Sequence, residues 1–108
     1  MGKGNIDTRH AYHGSDLESA RWIGSDLQLT FLLLGMINGG VEHRPSLMFF
    51  DVKNREEVEA WLSKTWPRPD DQNRVFEVIG IGRGESGGFV VDTSRGCLRI
   101  DCRNFLEL

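Results

Sequence analysis

At 108 residues the chain is long enough for one domain with its own core and too short for a doubly wound fold carrying a separate substrate domain. Thirteen Lys and Arg against sixteen Asp and Glu leave a net charge of −3, so no basic field draws it to nucleic acid or to an anionic membrane. No run approaches the roughly eighteen apolar residues of a spanning helix, and the polar opening MGKGNIDTRHAYHGSD has no apolar signal region, which predicts a cytoplasmic protein.

Residues 1–14 read as a flexible polar leader, and 15–108 as a single domain. From Asp16 the text changes. Two runs, L-E-S-A-R-W-I from Leu17 and L-Q-L-T-F-L-L-L from Leu27, flank a Gly-Ser-Asp break. Leu27, Leu29, Phe31 and Leu33 alternate with Gln28 and Thr30, which predicts a β-hairpin. A helix from Asp26 to Ile37 is the alternative, because no breaker falls before Gly35. Leu47 to Val52 reads as a buried strand with Pro45 at its edge.

The clearest helix follows, in N-R-E-E-V-E-A-W-L-S-K-T-W from Asn54. Asn54 and Glu57 stand at capping-box spacing, and Val58, Trp61, Leu62 and Thr65 recur on one face. Acidic residues open it, Lys64 closes it, and Pro67 and Pro69 stop it. Three more strands follow, at Arg74 to Ile81, Gly88 to Asp92 and Cys97 to Cys102, with Ser94-Arg95-Gly96 as a hairpin turn. The expected architecture is α+β, a mainly antiparallel sheet of five or six strands with one amphipathic helix packed on one face.

G-R-G-E-S-G, Gly82 to Gly87, matches the glycine string of dinucleotide-binding loops. That fingerprint requires a helix after the glycines, whereas here Gly88-Phe89-Val90-Val91 reads as a strand. Gly84-Glu85-Ser86-Gly87-Gly88 matches a nucleophile elbow and fails for the same reason. The run is read as a hairpin loop whose charged contacts are Arg83 and Glu85, and no cofactor is expected.

Other chemistry is sparse. Cys97 and Cys102 point to opposite faces of a strand and are read as free thiols. His10, His13 and His43 lack metal-ligand spacing, so no metal is expected. His13 and Asp16 offer a general-base pair or an ordinary surface contact, and no catalytic residue is assigned. Trp66, Asp70 and Asp71 form an acidic and aromatic knuckle after the helix, suited to a protein interface with an Arg- or Lys-rich partner; a solvated loop with Trp66 capping the core is the plainer reading.

The segment H-G-S-D-L-E-S-A-R-W-I-G-S-D-L-Q-L-T-F from His13, F-F-D-V from Phe49 and G-C-L-R-I-D-C from Gly96 together resemble small bacterial immunity-type proteins of polymorphic-toxin and contact-dependent inhibition systems. In that group the acid directly follows the histidine; here Gly14 and Ser15 stand between His13 and Asp16. The resemblance implies a non-enzymatic module that binds and occludes a cognate toxin, a basic one suiting the slight acidity of this chain. Trp66, Asp70, Asp71, Arg83 and Glu85 are the expected contacts. A ligand-binding or enzymatic domain is the alternative, with a pocket between helix and sheet served by His13, Asp16, His43 or Cys102.

Overall fold

The computed structural model describes residues 8–10, 12–33, 43–65, 76–84 and 87–108. In chain order its elements are β1 (Asp16–Ile23), β2 (Asp26–Leu32), β3 (Ser46–Phe50), α1 (Arg55–Thr65), β4 (Phe76–Arg83), β5 (Phe89–Thr93), β6 (Gly96–Ile100) and β7 (Asn104–Glu107). The strands form one sheet in the order β6-β5-β4-β1-β2-β3-β7, with every neighbouring pair antiparallel. The α+β class is as expected, but among the described residues the sheet has seven strands rather than five or six. The additional strand is β7, a four-residue stretch of Asn-Phe-Leu-Glu whose alternation is too short to stand out.

Over Asp26–Leu32 the chain is a strand, not the competing helix. Leu27, Leu29, Phe31 and Leu33 are buried while the residues between them are partly exposed, and only an extended backbone gives that period of two. Residues 34–37 lie outside the described residues.

The connection from β6 to β7 dictates the shape. These strands stand at opposite ends of the sheet, and six strand spacings of about 4.8 Å would hold them about 29 Å apart if the sheet were flat. Asp101, Cys102 and Arg103 alone join them, and such a link spans at most about 14 Å. The sheet must therefore curl.

Two bulges serve that bend, one between Leu17 and Ser19 in β1 and one between Val78 and Gly80 in β4. Each shifts the alternation by one residue. Leu17 faces inward, and after the bulge Ala20 and Trp22 do so; Val78 is buried, and after its bulge Ile81 is. Among the described residues β1 and β4 pair at Asp16↔Glu77 and Leu17↔Phe76.

Inside the curl, Phe49 of β3, Phe89 of β5 and Phe105 of β7 meet with ring centroids 5.2 to 6.2 Å apart. Phe49 and Phe89 are fully buried. Burial of each such ring contributes about 2–3 kcal/mol before chain entropy is counted.

α1 packs against the sheet by bridging β6 and the β1–β2 turn. The Arg55 guanidinium donates to the Gly24 carbonyl at 3.1 Å and lies 4.4 Å from the Trp22 ring centroid. Glu57 pairs with Arg99 at 2.7 Å, and Val58 enters the core. Asn54 stands at the start of the helix, its carbonyl accepting from the Val58 N–H at 3.0 Å, and meets Glu57 side chain to side chain at 3.2 Å rather than through the backbone bonds of a capping box. Its side-chain amide donates to the Arg99 carbonyl at 2.9 Å, and its oxygen accepts from the Asp101 N–H at 2.8 Å. It thus pairs with the outer edge of β6 as a short strand would. The Lys53 N–H adds a bond to the Asp101 carbonyl at 2.8 Å. No helix among the described residues is long and apolar enough to cross a membrane.

The segment read as a leader contributes Tyr12 to the core, edge-on to Phe31 with ring centroids 4.9 Å apart. Glu107 of β7 holds it there. Its inward-facing carboxylate accepts from the Arg9 N–H at 2.6 Å, the Tyr12 hydroxyl at 2.8 Å and the His10 N–H at 3.3 Å. Burial alone raises the carboxyl pKa, but these donors outweigh it and hold the group below its ordinary range. A folded pKa below the unfolded value of about 4.3 means that this stabilisation is present above that pH and is lost as pH falls through the folded value. Glu107→Gln is expected to cost about 1–3 kcal/mol near neutrality in urea denaturation, with wild type and variant converging in acid. A stability gap that stays constant with pH contradicts this role.

Candidate functional site

β4 and β5 are joined by the glycine run. The Gly84 N–H donates to the Gly88 carbonyl at 3.1 Å and the Gly87 N–H to the Gly84 carbonyl at 3.3 Å, which makes a tight antiparallel connection. A strand follows it, so the dinucleotide and elbow strings have no helix to open. Gly87 and Gly88 have φ of +99° and +73°, which β-carbons disfavour. At Gly88 space forbids one too, because a Cβ there would overlap the Ile100 carbonyl. The hairpin base is thereby seated on the end of β6.

That seating forms one wall of a cleft of about 660 Å³. Besides Gly87 and Gly88, Phe50 and Asp51 from the end of β3 and the β6–β7 link line it. Asp51 has φ of +53°, a conformation that Asp tolerates better than most residues. Its N–H donates to the Asp26 carboxylate at 2.8 Å, and its own carboxylate pairs with Lys53 at 2.7 Å. Asp101 and Arg103, also lining the cleft, make no ion pair among the described residues.

Cys102 lies in the same lining, with Sγ 3.5 Å from the Asn104 carbonyl. Burial first, and then the Asp101 charge, push its thiol pKa up to about 11. At neutral pH it is a protonated thiol, the opposite of what nucleophilic catalysis requires. Cys97 is exposed, with Sγ 2.8 Å from an Asp92 carboxylate oxygen; both cysteines are free thiols.

The remaining candidates stand elsewhere. His13 and Asp16 both lie near the β1–β4 seam, yet the His13 Nδ1–H donates to the Ile79 carbonyl at 2.6 Å. Asp16 sits opposite Glu77, and burial, then the charges of Glu77 and Glu18, raise its pKa. His43 bridges to Leu33 and packs on His10 with ring centroids 5.1 Å apart. A shallow groove of about 460 Å³ between α1 and β1, lined in part by Glu18 and Leu62, holds none of the four, and the larger cleft holds Cys102 alone. Among the described residues no group of three His, Cys, Asp or Glu is placed to hold a metal.

Arg83 stands opposite Phe89 in the β4–β5 ladder, its guanidinium 5.2 Å from that ring's centroid, so it covers the rim of the phenylalanine cluster. Trp66, Asp70, Asp71 and Glu85 lie outside the described residues. Sequence reasoning missed the outer face of β3 and β7. There Met48 pairs across the ladder with Leu106, flanked by Phe50 and Leu108; Phe50 is 37% exposed, and Leu106 and Leu108 are each 51% exposed. The adjacent pair Phe49-Phe50 was the available signal, since successive residues of a strand face opposite ways and only one of the two can be inside.

In native protein at pH 8 a thiol-specific reagent is expected to modify Cys97 and to reach Cys102 only on denaturation. Rapid labelling of Cys102 in a Cys97→Ser variant contradicts the protonated, buried thiol. Compared with family models, with curated proteins and with solved structures, the chain matches none of them.

Proposed function

We propose that the protein is a non-enzymatic protein-binding module that neutralises a partner by occluding it, the immunity-type role that the sequence resemblance implies. The observation that carries this reading is the continuity of one surface. Phe50 belongs both to the exposed apolar stripe with Met48, Leu106 and Leu108 and to the lining of the cleft, where Asp101 and Arg103 present opposite charges. An apolar centre bordered by a polar rim is the common anatomy of a protein interface.

Chemistry points the same way. His13, Asp16, His43 and Cys102 are not gathered in either of the two clefts described, which weakens the support for the ligand-binding or enzymatic alternative. The partner most compatible with a net charge of −3 is a basic toxin domain. Arg83, Trp66, Asp70, Asp71 and Glu85 are proposed as further contacts, as the sequence suggests.

The test is co-expression with the product of a neighbouring toxin-domain gene, followed by calorimetry. A nanomolar complex is expected. Phe50→Asp and Arg103→Glu, both at exposed positions, should each weaken it by at least about tenfold, or 1.4 kcal/mol, with the circular dichroism spectrum unchanged. No complex, or a complex indifferent to both substitutions, overturns the reading.

A further inference from the structure

We infer that β7 is a self-association edge, pairing antiparallel with β7 of a second copy about a two-fold axis at Leu106. The backbone register supplies the first argument. The Leu108 N–H donates to the Ser46 carbonyl at 2.8 Å, so Ser46 and Leu108 are a hydrogen-bonded pair. Alternation then makes Met48–Leu106 and Phe50–Asn104 hydrogen-bonded pairs as well, and turns the N–H and C=O groups of Phe105 and Glu107 away from β3. No described residue bonds to those backbone groups.

The two edges of the sheet are treated differently. On β6 the outer edge is occupied, with Asn54 and Lys53 bonded to Arg99 and Asp101. β7 has no such cover among the described residues, and it carries no Lys, Pro or bulge to deter pairing. Its one charge, Glu107, faces inward and is consumed by the Arg9, His10 and Tyr12 donors.

The register is self-complementary. With Leu106 opposite Leu106 of the second copy, Phe105 meets Glu107 of that copy, and each pair exchanges the N–H and C=O groups that β3 leaves unused. No like charges are brought face to face, and the apolar stripes of Met48, Phe50, Leu106 and Leu108 join across the axis.

Sedimentation equilibrium over a micromolar to millimolar series tests this on the full chain. Wild type is expected to be a reversible dimer. Leu106→Lys, which sets two cations together at the axis, should raise the dissociation constant at least about a hundredfold while leaving the fold intact, since Leu106 is 51% exposed. The axial pair is of the non-hydrogen-bonded type with Cα atoms about 4.5 Å apart, within disulfide reach. In a Cys97→Ser background, Leu106→Cys should therefore cross-link on oxidation and Met48→Cys should not. A monomer at every concentration overturns the inference, including the case in which the edge serves a different protein's strand. So does a dimer that ignores Leu106→Lys, or one that cross-links through Met48→Cys, which signals stacked faces instead. None of these outcomes depends on toxin binding, so failure here is distinct from failure of the proposed function.

Discussion

Three residues, Asp101, Cys102 and Arg103, connect the two end strands of a seven-stranded sheet, and the sheet has to bring those strands within their reach. The two bulges and the face-to-face meeting of β3 with β5 follow from that requirement. β3 and β5 are four places apart in the sheet order, about 19 Å if it were flat, yet Phe49 and Phe89 have ring centroids 5.5 Å apart. The phenylalanine cluster fills the space the curl encloses, and Arg83 covers its rim.

The same closure places the proposed interface. Where the β6–β7 link crosses beneath the glycine hairpin, Gly88 must meet the Ile100 carbonyl without a Cβ, and the cleft opens beside that contact. On the inner side polar groups are accounted for: among the described residues no buried side-chain nitrogen or oxygen lacks a hydrogen-bond partner. The inward Glu107 carboxylate illustrates this, converting a costly buried charge into an anchor for Arg9, His10 and Tyr12. Apolar residues that the interior does not take up, such as Phe50 and Leu106, are left on the outer face, where the proposed partner or second copy would cover them.

Much of this was legible in the residues. Alternation at Leu27, Leu29, Phe31 and Leu33 marked β2 because one face of that strand is buried and the other is not. The helix from Arg55 was announced by its acidic first turn and by Pro67 beyond its end, and the glycine run was recognisable as a hairpin because a strand followed it. What stayed hidden depended on contacts distant in sequence. Asn54 has the side chain and spacing of a helix cap, but a strand edge 45 residues away recruits it. β7 is separated from β6 by no glycine or proline, and its partner β3 lies far upstream. Cys102 and Asp51 come together only through the curl, so no local motif could have marked the cleft.

A double-mutant cycle between Phe49 and Phe89 tests the curled sheet most directly, because these residues touch only if β3 and β5 face one another. Unfolding free energies of Phe49→Leu, Phe89→Leu and the double variant, measured by urea denaturation, should deviate from additivity by about 1 kcal/mol. Additivity within about 0.3 kcal/mol would place the two rings out of contact and contradict the closure on which the core and the cleft both rest.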